Sequence, residues 1–319
     1  MSEARAAAIA RMSKAYSNAS TRKVKKWFAI ACCFGFIAIA FADINGFIEG
    51  ARNGLELFER NVLGILFPFF FITSLLVELG FFSHFKRTGP AVFALSLLGG
   101  YPTGARMLSS LYAKGEISRT QAIRISTYTS TSSPIFTIAT LGVCFYGDII
   151  VGVVIFACHI TAALVNGIIY KGVKFPDIGG RKTVTLKPQQ EDIAESITNS
   201  LYSAVQSILA VGGLIVVFFI LSSQIQNLIS LPDFVKLPFF GILEMTNGVF
   251  LSSLAMPLSS ILNFAILIPC AIITFGGLAV AMQGFLFLKT FRMPFSFYLL
   301  YKTTHTLIAV LLCLALLLF

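Results

Sequence analysis

The sequence predicts an all-α polytopic membrane protein, built from two inverted-topology repeats with re-entrant helical hairpins and discontinuous helices. Three observations predict it. The chain is 56% hydrophobic and 12% charged, where soluble domains carry about 25% charged residues. Apolar runs long enough to cross roughly 30 Å of hydrocarbon as helices recur along its length, without the alternating polarity of barrel strands. The order of elements also repeats: a span, a short broken segment, an interrupted span and a second span occur twice.

Residues 1–26 are basic and weakly amphipathic and have no apolar signal core. They read as a cytoplasmic leader or surface helix and not as a removed signal peptide; their Arg and Ser content is shared with transit peptides, which stay open. Residues 27–61 hold a first transmembrane helix, 27–45, and an outer segment. The first repeat, 62–170, has clean spans at 62–83 and 149–170, a broken segment at 89–112 and an interrupted span at 118–147. A polar, charged linker at 171–196 separates it from the second repeat, 197–319, because such a composition cannot stay in hydrocarbon. There the spans are 197–223 and 295–319, with a short segment at 238–254 and an interrupted span at 258–288. A shift of 143 residues lays "TGARMLSSL" from Thr103 on "TNGVFLSSL" from Thr246 and His159 on Lys302.

Charge decides how the broken segments sit. If 89–112 dips in and returns, the loops place 19 Lys and Arg inside and three, Arg52, Arg60 and Lys236, outside. A full crossing of 89–112 moves Lys114, Arg119 and Arg124 outside and inverts the second half against the positive-inside rule. The re-entrant arrangement also leaves the two copies in opposite orientation, the architecture of many secondary transporters. The net charge of +10 therefore records topology with a cytoplasmic N-terminus, and no nucleic-acid partner is expected; the lipid bilayer is. Six cysteines in apolar segments lack metal-ligand spacing, and three histidines with no phosphate-binding loop leave no hydrolytic, redox or ATP-driven constellation. No enzyme activity, metal or cofactor is expected beyond a coupling ion, Na⁺ or H⁺.

The break "GGYPTGAR" needs a reason inside an apolar run. Irregular backbone at membrane depth is tolerated where protein buries it or where it lines a wet cavity, so Tyr101, Pro102, Thr103 and Gly104 read as a hairpin tip; a kink with close helix packing is the plainer account. The hydroxyl run "STYTSTSSP" ends at Pro134, which removes a backbone donor and disfavours helix at Ser133. Thr131, Ser132 and Ser133 then bind a cation or a substrate hydroxyl, or only satisfy helix contacts. In the second half Gly276 and Gly277 allow the same unwinding, and Gln283 offers an amide. Arg106 and Glu244 are intramembrane charges, which face a partner or an aqueous cavity; the expectation is that they pair or flank one ligand, with Thr246 and Asn247 beside Glu244, the alternative being that each sits near an interface. Glu78, His159, Lys302 and His305 read as snorkelling groups near span ends.

Together "LFPFFFITSLL", "LLGGYPTGARMLSSLYAKGEIS", "STSSPIFTIATLGV", "LEMTNG" and "FGGLAVAMQGFLFL" resemble the nucleoside-recognition, or Gate, domain membrane proteins of the sporulation integral membrane protein type. The resemblance runs from Val62 to His305. It implies a multi-pass protein of a bacterial inner membrane with two Gate repeats, and it extends more distantly to concentrative nucleoside transporters. Those transporters carry an acidic residue in each hairpin, whereas this first hairpin carries Arg106, so an anionic substrate joins a nucleoside-like one. The resulting expectation is a secondary transporter for a small polar metabolite or ion, working by alternating access. Its rival is a non-transporting protein needed for spore envelope or cortex assembly. A homo-oligomer is compatible with either.

Overall fold

A computed structural model describes residues 24, 26–176, 192–229, 232–255 and 264–318; the side chains of 61, 233 and 234 are outside the description. Most of the expected leader and linker, and the start of the second interrupted span, lie outside the described residues. Every regular element among the described residues is helical. Four helical stretches are long and apolar enough to cross a membrane: Ile149–Gly172, Ile193–Leu228, Phe264–Phe291 and Phe295–Leu318. A bent pair, α1 (Lys26–Ala42) and Ile44–Arg60, makes a fifth if it counts as one span.

Two expected spans are shorter than the hydropathy implies. The first ends at Ala42, where the chain turns by 108°. Asp43 makes the turn: its Oδ1 accepts from the N–H of Gly46 at 2.9 Å and caps α2 (Ile44–Leu57), and its Oδ2 accepts from Asn227 Nδ2 at 2.9 Å. The second expected span is α3 (Gly64–Glu78), only 15 residues or about 22 Å. It continues α2 through a wide helical stretch, Phe58–Leu63, and both pack along the 36-residue α8 (Ile193–Leu228). Glycines at four-residue spacing permit this contact. A Cβ on Gly50 would stand 2.7 Å from Ile220 Cα, and one on Gly54 2.9 Å from Val216 Cα. Small residues let membrane helices approach by their backbones, where dispersion replaces the hydrophobic drive that lipid removes.

The two broken segments form helix–break–helix units. In the first, α4 (Thr88–Gly99) and α5 (Thr103–Lys114) flank Gly100, Tyr101 and Pro102. Gly100 has φ +67°, and a Cβ there would meet Ser133 N at 2.8 Å, so this position excludes a side chain twice over. Lys114 Nζ donates to Glu78 Oε2 at 2.7 Å, which holds the end of α5 at the end of α3. In the second unit Glu244 separates α9 (Asp233–Leu243) from α10 (Met245–Ala255).

The interrupted spans follow. Helix α6 (Arg119–Thr129) begins in a capping box between Ser118 and Gln121, stops at Ser130, and resumes after Pro134 as a wide helix, Ile135–Phe145. Helix α11 (Leu267–Phe275) stops at Gly276, φ +83°, and α12 (Gly277–Leu288) starts at once. The spans α7 (Ile149–Ile169) and α13 (Phe295–Leu318) pack on one another. Both breaks lie at the level of their buried polar faces.

Candidate functional site

A cavity of 410 Å³ lies between the two breaks in the helical hairpins. Gly100 and Tyr101 of the first tip face it, as do Glu244 and Thr246 of the second, Ser132 and Ser133 of the first interrupted span, and Gln283 of α12. Phe136, Phe145 and Ile215 supply apolar wall, and Leu57 and Arg60 stand at its mouth. A vestibule of 320 Å³, lined in part by Asn53, Glu56, Arg60 and Asn247, adjoins that mouth. Arg60 is there paired with Glu56 at 2.9 Å, both exposed. A larger groove of 1180 Å³ beside α9, α10 and α11 has, among the described residues, Lys236 and Thr306 as its polar lining. A hydrophobic wall with a few convergent polar groups is the usual form of a small-molecule site, and the smaller cavity has it.

The second tip holds its acid by a local device. Glu244 is buried, and its Oε2 accepts from the N–H of Asn247 at 2.7 Å, at the start of α10. Unpaired amides at a helix N-terminus favour negative charge. Asn247 is fixed from the other side, its Nδ2 donating to Ser222 Oγ at 2.6 Å. The first tip is held across the molecule: the Tyr101 hydroxyl lies 3.3 Å from both the Ile273 and the Thr274 carbonyls, just before the second break.

The remaining expected residues lie around the cavity and do not line it. Thr103 and Gly104 pack the first hairpin against α6, where a Cβ on Gly104 would collide with the Thr129 carbonyl. Pro102 faces a narrow space below the tip. Thr131 is fully buried, and its hydroxyl has no partner among the described residues. Gly277 lies against the Gly241 and Ile242 carbonyls, and Gly276 beside Val280.

Arg106 does not meet Glu244, contrary to the expected pairing. Its Nη1 donates to the Phe70 carbonyl at 2.7 Å, its Nε to Ser207 Oγ at 2.9 Å and its Nη2 to Ser203 Oγ at 2.9 Å, with Ser74 at 3.4 Å. The guanidinium also lies 4.8 Å from the Phe70 ring centroid. These partners belong to α3 and α8, so Arg106 clamps the first hairpin to them and gives the cavity no charge. A planar fork of five donors suits such a carbonyl-and-hydroxyl socket.

His159, Lys302 and His305 do not snorkel: all three are buried, with at most 1% exposed. The two imidazoles stack with centroids 4.8 Å apart. The Ser132 N–H donates to His159 Nε2 at 3.0 Å, so Nδ1 carries the proton in the neutral ring and donates to Thr274 Oγ1 at 3.1 Å. His159 thus joins the two breaks. His305 Nε2 donates to the His159 carbonyl at 2.9 Å. Lys302 Nζ donates to the Tyr101 hydroxyl at 2.9 Å. These groups are thus not at the span ends where hydropathy puts them; a Lys and a His three residues apart inside an apolar run, on one helical face, are the signal that points inward.

No family model matches the chain, and no solved structure matches it. The sporulation integral membrane protein YlbJ of Bacillus subtilis (strain 168) is 24% identical over 237 residues, covering 64% of this chain and 58% of YlbJ. The chain is an integral membrane protein. It spans somewhat more than half the length of that relative.

Proposed function

We propose that the chain is a permease of a bacterial cell membrane that moves a small polar metabolite or ion by alternating access, with the 410 Å³ cavity as its binding site. The observation that carries this is convergence: side chains from both hairpin tips, the first break and α12 meet in one partly apolar cavity although the sequence scatters them. Discontinuous helices with a site between them are how secondary transporters place ligand groups at mid-membrane.

The inverted repeat is part of the proposal. It is supported by the recurring order of hairpin, interrupted span and span, and by the ends from which the hairpins enter. The first starts and finishes beside Glu78. The second follows α8, whose Asn227 meets Asp43 at the other end of α2 and α3. The Gate-type resemblance of the hairpin and break motifs supports the same arrangement, with domains at 62–170 and 197–319 and the N-terminus in the cytoplasm. Arg106 is engaged elsewhere, so discrimination between a nucleoside-like and an anionic substrate falls to Glu244, Arg60 and the hydroxyl and amide groups.

A second reading is favoured by the similarity to YlbJ: a membrane protein needed in sporulation that does not transport. One experiment separates the two. The purified protein is unfolded thermally in detergent against nucleosides, nucleobases, dicarboxylates, amino acids and divalent metals, with and without sodium. A ligand of the folded state stabilises it by about 2.7 kcal/mol at a hundredfold excess over its dissociation constant. A shift that Glu244→Gln or Ser133→Ala removes supports the permease. A flat response across the panel, with no flux of any panel member in proteoliposomes, supports the second reading.

A further inference from the structure

Among the described residues the cavity has one open end. Toward Glu56 and Arg60 it meets the vestibule, whereas below Tyr101 the space shrinks to 10 Å³ among Ser126, Ser130, Tyr298 and Tyr301. Tyr101 lines both spaces and forms the floor between them. Two contacts fix that floor. The Tyr101 hydroxyl reaches the carbonyls of Ile273 and Thr274, and Lys302 Nζ donates to the same hydroxyl and approaches the Ser130 carbonyl at 3.4 Å. The ammonium also lies 4.7 Å from the Tyr101 ring centroid.

Lys302 has no acidic partner: among the described residues the ion pairs are Arg60–Glu56 and Lys114–Glu78. The titratable groups around it are Tyr101 from the tip, His159 from α7, and Tyr298, Tyr301 and His305 from its own helix. The faces of α6 and α11 bring Ser130 and Thr274, and Cys270 lies farther along with Cys158 and Cys313. A buried charge held only by neutral dipoles is a costly arrangement, and a lysine in such a place changes its protonation more readily than an arginine.

We propose that Lys302 is a proton-binding site that latches the first hairpin tip. As an ammonium it donates to Tyr101 and Ser130, faces the Tyr101 ring and leaves the tyrosine O–H to bond the second break. Loss of one proton to water at the narrow side leaves a neutral amine with a free lone pair. The Tyr101 O–H then turns to that lone pair, leaves the Ile273 and Thr274 carbonyls, and frees the tip from the opposite half. The charge that favoured the ring face is gone as well. Uptake of one proton restores the latch. This rests on the permease reading for what the proton drives, namely opening of the cavity toward the end that carries Lys114 and Arg119.

The test measures the floor without any substrate. Ala105 faces the narrow space below Tyr101, and Cys32, Cys33 and Cys144 are the exposed native thiols. An Ala105→Cys protein with those three changed to serine is placed in liposomes and labelled with a membrane-impermeant maleimide from the Lys114 side over a range of pH. Rates are divided by those of the unfolded protein at the same pH, which removes thiol ionisation. The normalised rate rises severalfold as pH is raised, with the profile of a single proton. In Lys302→Met, which offers the Tyr101 O–H no lone pair to turn to and leaves it on the Ile273 and Thr274 carbonyls, it stays low and is independent of pH. In Tyr101→Phe, which keeps the ring and loses the hydroxyl, it is high even at acid pH, so the latch is tested even if the lysine variant does not fold. A flat profile with Lys302 present, or an unchanged profile in either variant, overturns the proposal. Intact pH-dependent labelling without flux of any solute overturns the permease reading and leaves the latch standing.

Discussion

The two hairpin tips are built alike and held differently. At the first, Tyr101 reaches to the carbonyls beside the second break and takes a hydrogen bond from Lys302. At the second, Glu244 turns back to the start of its own helix α10, and Asn247 fastens that start to Ser222 of α8. The first tip is thus bonded to the opposite half of the chain and the second to its own neighbours. The first cannot move without breaking polar contacts across the molecule. The second can carry its carboxylate with it as a unit. The breaks differ in the same sense: Ser130 to Ser133 bring hydroxyls, whereas Gly276 and Gly277 bring only backbone freedom, with φ of +83° and +71°.

The largest effect that would sharpen this contrast concerns Arg106. Arg106→Met removes charge-assisted bonds to Phe70, Ser203 and Ser207, and unfolding in detergent should show a loss on the order of 3 kcal/mol. Ligand affinity of the folded fraction should hardly change, because the guanidinium is outside the cavity. A variant that stays stable and loses ligand would return Arg106 to the site.

Next comes Gly248→Val. A Cβ there would overlap Gly241 Cα, so α9 and α10 must separate, at about 2 kcal/mol. The same measurement on Gly115→Ala, whose Cβ meets nothing but whose φ is +82°, gives a smaller loss and separates crowding from backbone strain.

Glu244→Gln should cost less in stability, under about 1 kcal/mol from the lost charge at the α10 N-terminus. It should weaken the ligand identified by thermal shift at least about tenfold, equivalent to roughly 1.4 kcal/mol. Equal effects of Glu244→Gln and Tyr101→Phe on affinity would abolish the distinction between a ligand-holding tip and a gate-holding tip. The smallest effect belongs to the Lys114–Glu78 pair, about one quarter exposed on each side. A double-mutant cycle should give under about 1 kcal/mol of coupling.

Much of the architecture was legible before any fold was known. Composition and run length give the helices of a membrane protein, "GGYPTGAR" marks the first tip, and Pro134 with its hydroxyl run marks the first break. Gly276 and Gly277 mark the second. The glycines at 46, 50 and 54 also carried a readable message, a four-residue stripe that brings α2 onto α8, although hydropathy alone passed over it. Hydropathy likewise extended the spans at 27–45 and 62–83 beyond their helices, since it sees neither the bend that Asp43 caps nor the left-handed Gly80 that follows α3.

The sequence by itself determined where backbone leaves the helix, because Gly, Pro and a dense run of hydroxyls act on their own neighbours through local sterics and hydrogen bonding. Only the tertiary structure decided which charges share a site. Arg106 and Glu244 stand at comparable points of two hairpins, yet one is spent on α3 and α8 and the other faces a cavity. Lys302 and His159, on α13 and α7 of opposite halves, are brought to the two breaks by the packing of those helices on one another. Such partnerships depend on how whole helices pack and rotate against each other, a long-range outcome that no local pattern encodes.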